Sequence, residues 1–295
     1  MQRRGGPNRG MFMTIIMSLF LGLVQGIAEF LPISSSGHLS ILQNLVGLDP
    51  TDLLFSVLMH LGTLASICAV YRKEIKEMVT DGVDYLRMRG DSNQDEPVVL
   101  KPPARSLLFI LIGTIPMVLA LIFSGFIDRL FGLPAFVGFA LLVTGGLLFV
   151  TDKFFVSEDN EVKGTKTEKT MTLRDAIFIG LAQAVAVLPG LSRSAATITA
   201  GLARGLSGGF AVRYSLLLSI PAVLGATIVE LYKAIRDGAD FSLLPVYLAG
   251  FVIAAVVGFF AIQLIRRLMS KGRFGKFAYY CWVVGALTII LSLIV

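Results

Sequence analysis

The chain has 295 residues, of which 55% are hydrophobic and 16% charged, with a mean hydropathy of +0.78 and a formal charge of +6. So few charges, against about 25% in soluble domains, exclude a single soluble core and point to a polytopic membrane protein. The basic balance does not call for nucleic acid, because its placement along the chain accounts for it.

The N-terminus, MQRRGGPNRGMFMTIIMSLF, has the basic start and apolar continuation of a secretory signal. Its apolar run continues without a small-x-small cleavage site, so it reads as a short solvated tail leading into structure. A first apolar stretch, about 12–30, runs into a polar cluster, QGIAEFLPISSSGHLSIL (25–42). Long apolar stretches follow at about 53–71, 106–123 and 134–151. A second interrupted stretch, about 173–188, then runs into PGLSRSAAT, and three more long stretches lie at about 210–232, 244–266 and 276–295. Each long stretch meets the length of about 20 residues that a spanning helix needs. The mixed-charge segments RGDSNQDEP and VSEDNEVKGTKTEK read as solvated linkers with no room for a separate soluble domain. Cys68 and Cys281 fall inside spans and read as small buried hydrophobes.

If the six long stretches cross and the two interrupted ones return to the side they entered, loops 72–105, 152–174, 204–213 and 266–276 share one side. That side holds 19 of the 26 Lys and Arg; the tail and loops 124–133 and 233–243 hold six, and Arg193 stands apart. Short basic loops stay cytoplasmic, which places both termini outside. RRLMSKGRFGK (266–276), with five bases and no acid, anchors this topology.

GLVQGIAEFLPISSSGH (22–38) and GLAQAVAVLPGLSRSAAT (180–197) both open Gly-Leu-x-Gln, reach a proline and end in a serine cluster. Each precedes three long stretches, an odd number, so the second half is expected to be inverted relative to the first. The expected fold is all-α, with inverted-repeat halves of about 12–151 and 173–295 in one membrane domain. It comprises six transmembrane helices plus two re-entrant helix–turn–helix hairpins whose tips meet near the midplane.

The tips carry the candidate chemistry. Gln25 and Glu29 share a helix face at i, i+4. Pro32 ends that helix, and Ser34, Ser35 and Ser36 can each cap the next one. His38 lies on the face of Ser34 and Ser35. An ionisable group at membrane depth is costly and usually functional. A proline kink with interhelical hydrogen bonds would explain one serine but not the whole cluster. In the second tip, Ser192, Arg193, Ser194 and Thr197 follow Pro189-Gly190. A guanidinium, hydroxyls and a helix N-terminus suit phosphate oxygens, and Arg193 could equally pair with Glu29 at rest. A phosphate headgroup on a long apolar tail would match both site and solvent. His60, mid-span, reads first as a packed, hydrogen-bonding histidine, with lining the cavity as the lesser reading, and Glu230 as an interfacial residue near the end of a span.

QGIAEFLPISSSGH and LPGLSRSAATIT closely resemble the paired signatures of the undecaprenyl-pyrophosphate phosphatase family, also called bacitracin-resistance proteins, and YSLLLSIPAVLGA (214–226) resembles the helix that follows. The likeness spans nearly the whole chain. It implies removal of the terminal phosphate from a C55-type polyprenyl pyrophosphate, leaving the monophosphate carrier for cell-envelope assembly. It also implies a plasma-membrane site open to the extracytoplasmic face and assisted by a divalent cation, Mg2+ or Ca2+. By motif position the acidic pair falls on Gln25 and Glu29, the active serine on Ser35, the histidine on His38 and the phosphate-binding arginine on Arg193. Ser34, Ser36, Ser192, Ser194 and Thr197 lie beside them as substrate contacts. Gln25 stands where many members have Glu, and an amide is the weaker ligand for a hard cation, so Glu29 is the metal-ligand candidate. The nucleophile remains Ser35, His38 or water. A lipid transporter with the same inverted-repeat site is the rival class, and a homodimer is compatible with the sequence.

Overall fold

The computed structural model describes residues 14–45, 53–90, 99–157, 162–238, 241–270 and 275–294. The N-terminal tail through residue 13 and parts of the two linkers and of the 266–276 anchor lie outside the described residues.

The first interrupted stretch forms α1 (Ile15–Ala28) and α2 (Ser35–Leu45). Thr14 caps α1, its hydroxyl accepting from the Met17 N–H at 3.2 Å. Between the helices, Ser34 adopts φ 68°, a left-handed conformation that costs a non-glycine residue on the order of 1 kcal/mol. Then come α3 (Leu53–Val70), α4 (Arg72–Gly90), α5 (Pro102–Ala120), the short α6 (Ser124–Phe131) and α7 (Pro134–Phe155).

The second interrupted stretch forms α8 (Leu173–Val185) and α9 (Arg193–Ala203). A capping box of Thr172 and Asp175 starts α8, and the Ser192 hydroxyl caps α9. Gly190, at φ +90°, makes the turn, and its missing side chain lets the α7 backbone at Val137 come close. The chain ends with α10 (Gly208–Arg236), α11 (Leu244–Ser270) and α12 (Gly275–Ile294).

Six helices (α3, α5, α7, α10, α11 and α12) are long and apolar enough to cross a membrane among the described residues. Their outward faces carry large exposed hydrophobics such as Ile115, Val252, Phe260 and Leu287, as surfaces facing acyl chains require. The chain is an all-α polytopic membrane protein.

Each short helix pair leans on a long helix from the other end of the sequence. α1 packs along α11, and α8 packs along α5. Both contacts are glycine-to-glycine: a methyl added at Gly22 would overlap the Gly250 carbonyl, and one at Gly180 the Gly113 carbonyl. Between these pairs α3 packs on α10 and α11, while α7 packs on α12.

Several stretches read as loops are ordered helices. Residues 72–90 form α4, which buries Met78 and pairs Asp81 with Lys101 at 2.9 Å. Residues 124–131 form α6, and α10 extends to Arg236. Propensity and an apolar stripe made these helices, but their polar faces hid them from a search for long greasy runs. The described part of the 152–174 linker is also tied down. Ser207 N–H donates to the Lys166 carbonyl at 2.9 Å, and Lys166 N–H to the Gly205 carbonyl at 2.9 Å. Arg105 caps the carbonyls of Glu168, Lys169 and Met171 at 2.6–3.2 Å.

Candidate active site

The two tips meet at one buried carboxylate. Glu29, 7% exposed, ends α1. Its Oε1 accepts from the Arg193 guanidinium, the first residue of α9. Its Oε2 accepts from Gln25 Nε2 at 2.9 Å and from Ser35 Oγ at 2.6 Å. The i, i+4 spacing of Gln25 and Glu29 makes the first contact. The proline turn swings Ser35 back over the end of α1 to make the second.

Glu29, Ser35 and Arg193 line a cavity of about 160 Å3, and Gln25 lies buried behind Glu29. One wall is polar: Glu29, Ser34, Ser35, Ser36, Ser192 and Arg193, with His60 from α3. The other wall, from α5, α8 and α10, is apolar and includes Met117, Ala186, Val187, Ala222 and Val223, with Gln183 among them. Both α2 and α9 begin at this cavity, so two helix N-termini direct their positive ends toward it. A guanidinium, two dipole ends and hydroxyls suit phosphoryl oxygens, and the one carboxylate beside them suits a proton or a cation. The apolar wall beside them suits a hydrocarbon tail.

The serines and threonines divide into two groups. Ser35 and Ser36 face the cavity. Ser34 lines it too, while its Oγ accepts from the Gly37 N–H at 3.3 Å. Ser192 lines it and caps α9 through Ala195 N–H at 3.2 Å. Ser194 and Thr197 are turned into the protein. Ser194 Oγ donates to the Leu31 carbonyl at 3.3 Å, binding one tip to the other. Thr197 Oγ1 donates to the Arg193 carbonyl at 2.8 Å and meets Ser215 on α10. These two residues hold Arg193 in place rather than lining the cavity.

His38 is not brought to Ser35. Its Nδ1–H donates to the Ser34 carbonyl at 2.8 Å, which leaves Nε2 to accept from the Tyr280 hydroxyl at 2.7 Å. The ring stacks on Tyr280 at 5.6 Å between centroids. Its place on the Ser34–Ser35 helix face is as expected, but the aromatic partner on α12 takes its second nitrogen.

Gln183 escaped the sequence reading, and His60 takes the lesser of its two readings there. His60 Nδ1 lies 3.7 Å from Glu29 Oε2 and 3.3 Å from Gln25 Nε2, so it lines the site rather than packing blandly between helices. Its signal was an ionisable residue at mid-span, which occurs once in that helix. The signal for Gln183 was the shared Gly-Leu-x-Gln of the two repeats. Glu230 remains outside the cavity.

The residues also bear on a divalent cation. Among the described residues no cluster of three His, Cys, Asp or Glu has ligand geometry. Glu29 is the one acid in the cavity, but the Gln25 carbonyl oxygen beside it is buried and meets no hydrogen-bond partner. A carboxylate, a free amide oxygen and the oxygens of a bound diphosphate together fit Mg2+, which takes few protein ligands and completes its shell from phosphates and water.

The profile of the bacitracin resistance protein BacA family matches residues 18–287. A protein of Carboxydothermus hydrogenoformans named undecaprenyl-diphosphatase is 36% identical over 95% of this chain and 98% of its own length. Proteins of the same name from Desulforapulum autotrophicum and Methanobrevibacter smithii are 40% and 39% identical, over 94% and 92% of this chain and 98% and 96% of their own lengths. With both tips, five of the six spans, most of the last and the candidate site residues inside the matched region, the chain belongs to the bacitracin resistance protein BacA family.

Proposed function

We propose that the protein is an integral membrane phosphatase that hydrolyses a polyprenyl pyrophosphate to the monophosphate and phosphate, returning the lipid carrier to cell-envelope synthesis. The observation that carries this reading is Glu29 held between Arg193 of one tip and Ser35 of the other, at the boundary between a polar wall and an apolar one. The relatives' names agree in reaction and substrate. The transporter reading gains nothing from those names and is not carried further.

At rest the Arg193–Glu29 pair neutralises both groups in a low-dielectric setting. An incoming diphosphate offers the guanidinium a stronger, bidentate partner and loosens it from Glu29 Oε1. Ser35 Oγ already donates to Glu29 Oε2 at 2.6 Å, so Glu29 stands as the base that accepts its proton. Ser35 Oγ then bonds to the terminal phosphorus, and the bridging P–O bond breaks. The lipid monophosphate leaves, and water resolves the phosphoserine to free phosphate. The Ser35–Glu29 contact favours this route over a Ser35–His38 dyad, because both His38 nitrogens are engaged elsewhere. Glu29 and the Gln25 carbonyl would hold the divalent cation, which when bound neutralises charge on the phosphoryl oxygens.

The two helix pairs are read as re-entrant hairpins of an inverted repeat with halves of about 12–151 and 173–295. The crossed packing of α1 on α11 and α8 on α5 supports this, since each half offers its own hairpin to the other's span. The cavity is read as opening to the extracytoplasmic side of the plasma membrane. Phe131 of α6 lines it, and residues 124–133 belong to the lightly charged set of loops.

The test is phosphate release from farnesyl or polyprenyl pyrophosphate by the purified protein in detergent, with and without chelator. Release abolished in both Arg193→Ala and Glu29→Ala is expected. Wild-type release from both variants would overturn the site.

A further inference from the structure

Gln25 and Gln183 occupy the same position in the two repeats, three residues after a glycine. Gln25 is used: its Nε2 reaches Glu29 and His60. Gln183 is not. It is completely buried, and neither its Nε2 nor its Oε1 meets a hydrogen-bond partner. A buried amide left in that state is costly to the folded protein, whereas an apolar side chain of similar size in its place would not be. Its repeat equivalent of Glu29 is Val187, so the second tip offers it no carboxylate partner.

Gln183 lies in the apolar wall, the single polar side chain among Met117, Ala186, Val187, Ala222 and Val223. The terminal phosphate of a diphosphate lipid belongs in the polar part of the lining, beside Ser35 and Arg193. The phosphate joined to the tail must then face the wall on which the tail lies. We propose that Gln183 donates its amide N–H to the lipid-side phosphate of the substrate, the group that leaves as the polyprenyl monophosphate. This inference rests on the diphosphatase reading above. The chemistry favours an amide at that position. The bridging P–O bond breaks toward this phosphate, which gains negative charge as it leaves. A neutral donor stabilises that charge yet lets the product go, where a second guanidinium would retain it. Gln183 is therefore a substrate-contacting residue for the leaving group, and it helps the site distinguish a diphosphate from inorganic phosphate.

The experiment uses the full-length protein in detergent with Gln183→Leu, Gln183→Glu and Arg193→Ala. Phosphate release from farnesyl pyrophosphate, inhibition by farnesyl monophosphate and the melting temperature are measured for each. Gln183→Leu is expected to melt at or above the wild-type temperature, to lose roughly ten- to hundredfold in kcat/KM, and to weaken inhibition by the monophosphate in parallel. Gln183→Glu is expected to lose more, through repulsion. A Gln183→Leu protein that melts several degrees lower but keeps wild-type kcat/KM would show that the amide only supports the fold, and the proposal falls. Lost turnover with unchanged monophosphate inhibition would equally overturn the assignment to the leaving group. Wild-type turnover in Arg193→Ala would instead bring down the diphosphatase site itself, whatever Gln183 does.

Discussion

Two buried carboxylates, Glu29 and Asp175, are both paired with arginine, and their surroundings differ in what they leave open. Asp175 is sealed. Lys166 Nζ donates to both its oxygens at 3.1 and 3.0 Å, Arg204 Nε to Oδ1 at 2.7 Å, and the Thr172 N–H and hydroxyl to Oδ2 at 3.0 and 2.9 Å. Nothing remains for a ligand, and the result is a clasp that fixes the start of α8 against the turn after α9. Glu29 accepts from one guanidinium, one amide and one hydroxyl, beside a cavity, an unpartnered amide oxygen and two helix N-termini. A saturated shell marks a structural acid. An incomplete shell opening on a cavity marks one kept available for a second molecule.

The largest expected effect tests the open acid. Glu29→Gln, which keeps the shape and removes the charge, should lower phosphate release per folded molecule roughly a thousandfold, far more than the lower melting temperature left by an unpaired Arg193 accounts for. A melt that collapses while the folded fraction retains activity would place Glu29 with Asp175 as a fold-holding group. Ser35→Ala should cost roughly a hundredfold or more and abolish any phosphoserine trapped by rapid acid quench. A labelled intermediate surviving that substitution would move the nucleophile elsewhere.

The sealed acid should behave in the opposite way. Asp175→Asn should lower unfolding free energy by about 2 kcal/mol, below the full cost of breaking a buried pair because Lys166 and Arg204 remain partly exposed. Its kcat/KM per folded molecule should stay within about twofold of wild type, as for changes away from the reacting groups. Burial alone would raise the Asp175 pKa, but Lys166, Thr172 and Arg204 outweigh it and bring the value down from 3.8 to about 2. Its stabilising contribution is therefore fully present above about pH 4 and is lost as pH falls toward 2. Acid unfolding followed by tryptophan fluorescence should show Asp175→Asn losing this part of the dependence. Curves of identical shape would contradict the clasp.

The smallest effect belongs to the edge of the site. Tyr280→Phe keeps the stacked ring and removes only the hydroxyl that holds His38 Nε2. A change in kcat of about two- to fivefold is expected, from one neutral hydrogen bond. A loss as large as that of Ser35→Ala would mean that the Tyr280-held histidine takes part directly in proton transfer.

The membrane architecture and the meeting of the tips were legible because both are written in local pattern. Apolar runs of spanning length gave the six helices, and the pairing of Glu29 with Arg193 followed from two proline-broken serine clusters in corresponding places. α4 stayed hidden because a helix such as KEIKEMVTDGVDYL, with its few apolar residues on one side, has the composition of a loop. The cavity-lining position of His60 stayed the lesser reading because distance along the chain says nothing about which wall of a bundle a side chain faces. The inward turn of Ser194 and Thr197, and the capture of His38 by Tyr280, depend on partners 163, 18 and 242 residues away, which spacing alone does not reveal.

The glycine contacts of α1 with α11 and of α8 with α5 mean that each hairpin is seated in a socket built by the opposite part of the chain. Neither part is then a folding unit that could have worked alone. A gene divided between the codons for Ser157 and Val162 should yield two inactive polypeptides. Made together in one membrane, they should reassemble and recover turnover, each completing the other.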